Sequence, residues 1–99
     1  MKNALIYYQQ KQKEKTSESI NIVNKIIKVL QKEDYKIMGV YIDKYNNQIE
    51  FMELIQEIPS HLNQLFIEYL PEDEFNQQIL NELAKTENFE IRYFSEIDF

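Results

Sequence analysis

Residues 4–11 read A-L-I-Y-Y-Q-Q-K, and this stretch decides the fold. Ala4–Tyr8 is a continuous apolar and aromatic run, the pattern of a strand buried on both faces. Such a strand belongs inside a parallel sheet with helices packed on each side. Gln9–Lys11 turn the chain polar, so the strand delivers its carboxyl end into a loop. In open α/β sheets, ligands and chemistry gather outside those carboxyl ends. Here the edge offers two tyrosines, two glutamines and a lysine, with no evident catalytic partner for any of them.

The elements around this strand follow from periodicity and punctuation. Gln9–Lys15 is a polar segment, and Thr16 or Ser17 is placed to cap a helix with a side-chain oxygen. Ile20, Val23, Ile27 and Leu30 make an apolar stripe, widened by Ile22, Ile26 and Val29, which predicts a helix from about Glu18 to about Lys32. Tyr35–Asp43, Y-K-I-M-G-V-Y-I-D, is rich in β-branched and aromatic residues and reads as the second strand. Its Gly39 is the only glycine in the chain. Within a strand, that marks a bulge, a close approach, or a small residue tolerated beneath a helix.

Lys44–Asn47 reads as a loop. Asn47 and Glu50 have capping-box spacing, and Phe51, Leu54, Ile55 and Ile58 predict a helix over Ile49–Ile58. Pro59 stops it, and Ser60–Asn63 form a turn. Gln64–Leu70 is the third strand. Pro71 ends that strand and Pro-Glu-Asp-Glu opens a third helix, its carboxylates set against the positive end of the helix dipole. Phe75, Ile79, Leu80, Leu83 and Ala84 form the face expected to be buried. Phe89–Phe94 is the fourth strand, and Ser95–Phe99 a short tail. The order β-α-β-α-β-α-β with short links implies parallel strands and right-handed crossovers.

Composition narrows the function. Ninety-nine residues, 43% hydrophobic and 13% aromatic, make one domain, 1–99, with a packed core. The chain has no cysteine, so disulfides and thiolate metal sites are excluded. No apolar run is long enough to span a bilayer, and the N-terminus is too short and aromatic for a signal peptide. A soluble cytoplasmic protein is expected. Seventeen acidic against eleven basic residues give a formal charge of −6, and Arg92 is the only arginine. Nucleic-acid affinity rests on Lys and Arg neutralising phosphates, so direct nucleic-acid binding is disfavoured. The abundance of Lys, Ile, Asn, Glu and Gln fits an AT-rich coding sequence, as in a low-GC bacterium or its phage.

Few side chains are candidates for chemistry. One glycine cannot build a phosphate-cradling loop, so no nucleotide cofactor of that kind is expected. His61, the only histidine, lies in a turn without a base or nucleophile beside it and reads as solvent-exposed. Asp43 and the Glu72–Asp73–Glu74 run fall at the same sheet edge, which invites a magnesium or receiver-domain reading. The first strand ends in glutamines, however, where a receiver domain needs acids, and helix-dipole complementation explains the acidic run more simply. Tyr8, Tyr45 and Phe99 lie in or beside loops and are the aromatic candidates for partner contact, since aromatics bury large area at low entropic cost.

The order of these stretches resembles the N-terminal catalytic domain of serine recombinases, the resolvase/invertase family. I-Y-Y-Q-Q-K lies where that family has I-Y-x-R-V-S, and Thr16–Asn21, T-S-E-S-I-N, resembles its Q-x-x-S-I-x-x-Q helix start. Gly39–Asp43, G-V-Y-I-D, resembles its second strand and aspartate. Leu65–Phe75 lies where the family has a strand ending in L-D-R-L-S-R, and Phe89–Asp98 resembles its exit segment. The resemblance implies strand order 2-1-3-4 in a three-layer, resolvase-like or flavodoxin-like sandwich. It also implies what is missing. Lys11 stands at the nucleophilic serine, Gln9 at the first arginine, and Glu72 and Phe75 at the later arginines. Glu72 has the wrong charge for a phosphate transition state. The sequence ends before the family's long dimerisation helix and its DNA-binding domain.

The expected function is therefore a non-catalytic protein-interaction or regulatory module, from a phage or mobile element, with no cofactor and no resident metal. One alternative is an interfering partner of an active serine recombinase. Another is an enzyme or metal-binding domain working at the Asp43/Glu72 edge. The binding candidates are Tyr8, Gln9, Lys11, Asp43, Tyr45, Glu72 and Asp73. The expected state is a monomer or weak homodimer, since a four-stranded sheet leaves two open edges.

Overall fold

The computed structural model describes residues 1–97. Its elements are β1 (Lys2–Gln9), α1 (Thr16–Lys32), β2 (Tyr35–Asp43), α2 (Ile49–Gln56), β3 (Gln64–Ile67), α3 (Glu74–Thr86) and β4 (Glu90–Tyr93), followed by a 3-10 turn at Phe94–Glu96. The four strands are parallel and lie in the order β2-β1-β3-β4. This is the three-layer α/β sandwich implied by the sequence, with β1 at its centre.

The alternation of β1 divides the core in two. Ala4, Ile6 and Tyr8 point to one face, where Val23, Ile26 and Leu30 of α1 cover them. Leu5 and Tyr7 point to the other, against Phe51 and Leu54 of α2 and Leu80 of α3. Each face excludes water from a central strand that has no polar side chain between Ala4 and Gln9 except two phenols. Phe89 and Phe94 flank β4 and bury one ring in each core.

Gly39 marks both a bulge and a close approach. Ala4 pairs with Ile37 but Leu5 pairs with Gly39, so Met38 is an extra residue on β2. A Cβ on Gly39 would stand 3.2 Å from Leu5 Cδ2. The bulge sits on an outer strand, where the added twist discourages edge pairing with another chain.

Several boundaries differ from the sequence reading, each for a local reason. Helix α1 starts at Thr16 and neither Thr16 nor Ser17 caps it; the N-cap is Lys15, without a side-chain bond. Its inward stripe is Ser19, Val23, Ile26 and Leu30, while Ile20 is exposed. The phase is set by the Ser19 hydroxyl, which turns inward to donate to Glu14. Helix α2 ends at Gln56, not Ile58, and the Asn47–Glu50 box is not formed: Asn47 Oδ1 accepts from the Ile49 amide. β3 ends at Ile67, not Leu70, and β4 spans Glu90–Tyr93 rather than Phe89–Phe94. Helix α3 begins at Glu74, so Phe75 falls in its first turn and is 66% exposed rather than buried. Asn76 takes the inward place and donates to Gln48 at 2.9 Å. Phe99, a partner-contact candidate, lies outside the described residues.

Gly39→Val is expected to destabilise the fold by about 1–3 kcal/mol, the usual cost of forcing volume into a packed contact. Urea denaturation checks it; an unchanged midpoint would show that Leu5 yields freely.

Candidate functional site

The C-terminal ends of β1 and β3 diverge into a crevice. The crossover after β1 leads through α1 to one side, and the chain returns through α2 and α3 on the other face. This is the topological switch point where open α/β sheets hold ligands. The crevice has a volume of about 330 Å³. Its floor is Tyr7, Phe51, Ile67 and Leu80, and its rim includes Gln9, Lys11, Tyr45, Gln48, Tyr69 and Glu72. A wider depression of about 680 Å³ lies alongside, between Glu68–Leu70 and Tyr93–Ile97.

Asp43 builds this edge. It is the last residue of β2 and is 2% exposed. One carboxylate oxygen accepts the Glu50 amide at 2.8 Å. The other accepts the Phe51 amide at 2.9 Å and the Tyr7 hydroxyl at 2.7 Å. Two amides at the start of α2, which have no intrahelical partner, are thereby satisfied. The Asp43 carboxylate is thus buried and held by three donors inside the fold. Burial first, and then the bond to Asp43, push the Tyr7 phenol well above its ordinary value. Asn46, at φ 57°, makes the tight turn between β2 and α2 in a conformation that asparagine tolerates.

A second network closes the β1–α1 loop. Tyr8, the last residue of the apolar run and a candidate for partner contact, is fully buried. The strand continues one residue beyond it, and its ring stacks on Phe94 at 6.2 Å. Its hydroxyl donates to the Glu14 carboxylate at 2.8 Å. Glu14 also accepts from the Ser19 hydroxyl and the Lys11 amide. Lys11 Nζ bonds Glu68 at 2.7 Å and the Tyr8 hydroxyl at 3.3 Å. Partial burial alone lowers the Lys11 pKa, but the bonds to Glu68 and Tyr8 outweigh it and raise it. Burial, then the bond to Glu14, pushes Tyr8 up to about 12. Desolvation favours protonation of Glu14, yet its bonds from Ser19, Tyr8 and the Lys11 amide win and lower its pKa.

The other candidates divide. Gln9, Lys11, Tyr45 and Glu72 all line the crevice. Asp73 does not: it is the N-cap of α3, accepting the Phe75 amide at 2.9 Å. Asp43 and Glu72 lie at the same end of the sheet, but among the described residues no group of three His, Cys, Asp or Glu side chains is placed to hold a metal. His61 is exposed in its turn, where its carbonyl accepts from Asn3. Reading the sequence missed Glu14, Ser19, Gln48, Glu68 and Tyr69. The apolar pattern extends the third strand through Leu70, whereas Glu68–Leu70 leave the sheet and form a crevice wall.

Among the described residues no helix is long and apolar enough to cross a membrane. No protein-family model, curated protein or solved structure matches the chain.

The paired shifts of Glu14 and Tyr8 set the pH response. Glu14 has a lowered folded pKa, so its contribution is present above the unfolded value and is lost as the pH falls through the folded one. Tyr8 is raised, so its contribution is present below the ordinary value of 10 and is lost as the pH rises toward about 12. Glu14→Gln should cost about 1–2 kcal/mol at neutral pH, with the difference from wild type vanishing in acid. Tyr8→Phe should flatten the alkaline loss. Denaturation series across pH, with phenolate absorbance read in parallel, check both.

Proposed function

We propose that this chain is a non-catalytic interaction module that engages a protein partner through the C-terminal edge of its sheet. The observation that carries the reading is the placement of exposed apolar side chains. Tyr45 is 55% exposed and Tyr69 72% exposed, and both line the crevice. Ile49 and Phe75, also exposed, stand beside Gln48 and Asn76, whose hydrogen bond joins the starts of α2 and α3. Tyr45 and Tyr69 bring two large exposed aromatic side chains to one crevice, as at a protein contact.

The polar groups at the same edge support a role without catalysis. An amine nucleophile must lose its proton, and the bonds from Glu68 and Tyr8 hold Lys11 protonated. If the recombinase resemblance is descent, Lys11 occupies the nucleophile's place as half of an ion pair, and Glu72 replaces a phosphate-binding arginine. Such a module suits a phage or mobile-element regulator, whose acidic surface meets a basic partner or imitates nucleic-acid charge. Interference with an active serine recombinase is one form of that role.

Photoreactive residues placed at Tyr45 and Tyr69 test the surface in the native host. One stoichiometric adduct from both positions, absent when the probe replaces exposed Lys36, is the expected outcome. Tyr69→Ala should weaken that complex about tenfold or more, as for a central aromatic contact. Equal labelling from all three positions would refute the assignment of the surface. DNA cleavage by the purified protein, removed by Lys11→Ala, would refute the absence of catalysis.

A further inference from the structure

We infer that the crevice between β1 and β3 is also a small-molecule site, selective for an uncharged heteroaromatic ligand of nucleoside size. The inference shares Tyr45 and Tyr69 with the proposed protein contact, but rests on the crevice's own volume, charge and free hydrogen-bonding atoms.

Volume sets the size. A crevice of about 330 Å³ lies at the small end of ligand pockets, which run from about 300 to 1,000 Å³. It holds a base with a sugar and not a dinucleotide.

Charge sets the polarity. In open α/β folds, phosphate is bound by the unpaired amides of helix N-termini. Here the start of α2, beside the crevice, is closed by the Asp43 carboxylate, which takes the Glu50 and Phe51 amides. The Lys11 ammonium is already taken by Glu68. Glu72, on the rim, adds a further negative charge. Within the crevice an anionic ligand would meet Glu72 and an ammonium already paired with Glu68, whereas an uncharged one meets no such repulsion.

The amides set the chemistry. Gln9 donates its side-chain nitrogen to the Asn47 carbonyl at 3.1 Å, which orients the amide and leaves Oε1 as an acceptor. Gln48 accepts from Asn76 through Oε1, which leaves Nε2 as a donor. Both residues line the crevice. No buried side-chain polar atom of the described residues lacks a partner, so the free oxygen of half-buried Gln9 is open to solvent. One free amide acceptor and one free amide donor on the wall of a crevice with an apolar floor are the groups that a mixed donor–acceptor heterocycle would use. Tyr45 and Tyr69 supply π-faces for stacking at the rim.

Nuclear magnetic resonance titration of the nitrogen-15-labelled chain tests this. The probes are adenosine, guanosine, cytidine and uridine, with adenosine monophosphate as the charged counterpart. At least one nucleoside should shift the Gln9 and Gln48 side-chain signals and the Tyr69 amide saturably. The monophosphate of a bound adenosine should bind about tenfold more weakly, and Glu72→Gln should narrow that gap. Tyr69→Ala, at an exposed site that leaves the core intact, should weaken nucleoside binding about tenfold. Three results would overturn the inference: no saturable shift with any nucleoside at millimolar concentration, shifts confined to surfaces away from the crevice, or monophosphate binding equal to or tighter than adenosine.

Discussion

The carboxylate of Asp43 ties three elements together at one point. It ends β2, satisfies two amides at the start of α2, and receives the Tyr7 hydroxyl from β1. A buried carboxylate is costly unless it is hydrogen-bonded, and here three donors bond it. The bond to Tyr7 holds that ring edge-on to Phe51, 5.5 Å between centroids. Together those rings form part of the crevice floor. Removing the carboxylate leaves buried donors without acceptors as well as a missing helix cap, so its loss is felt in the site before it is felt in the rest of the sheet.

The same economy of partners governs the other wall. Tyr8, Glu14, Ser19, Lys11 and Glu68 form a continuous polar network from the core to the rim. Each member is bonded to its neighbours. The exposed Tyr45 and Tyr69 lie outside this network. Acidic side chains therefore do two different jobs in this chain: some complete helix starts and loops from inside, and others give the surface its negative character.

The fold was legible because β1 has no ambiguity. Five apolar or aromatic residues followed by polar ones specify a strand covered on both faces, and the helical stripes on either side complete the parallel order. The site was less legible, for reasons of contact between distant residues. Asp43 looked like a ligand at a strand end, because nothing in sequence shows that α2 returns its first amides to that carboxylate. Tyr8 ends the apolar run beside a loop, and its burial depends on Phe94, eighty-six positions away along the chain. Ser19 is polar within an apolar helix face, and only the fold of the β1–α1 loop brings Glu14 to it. Phe75 fits the apolar periodicity of α3, but Asp73 sets the helix start so that Asn76 points inward instead.

The most direct test of Asp43 as the organiser of the site is hydrogen exchange at the Glu50 and Phe51 amides. First-turn amides of a helix ordinarily exchange quickly, having no intrahelical acceptor. In the wild-type chain these two should exchange as slowly as amides within α2, and Asp43→Ala should return both to fast exchange while the β1 and β3 amides stay protected. Fast exchange of Glu50 and Phe51 in the wild type would contradict the account, because the carboxylate would then not be holding the start of the helix.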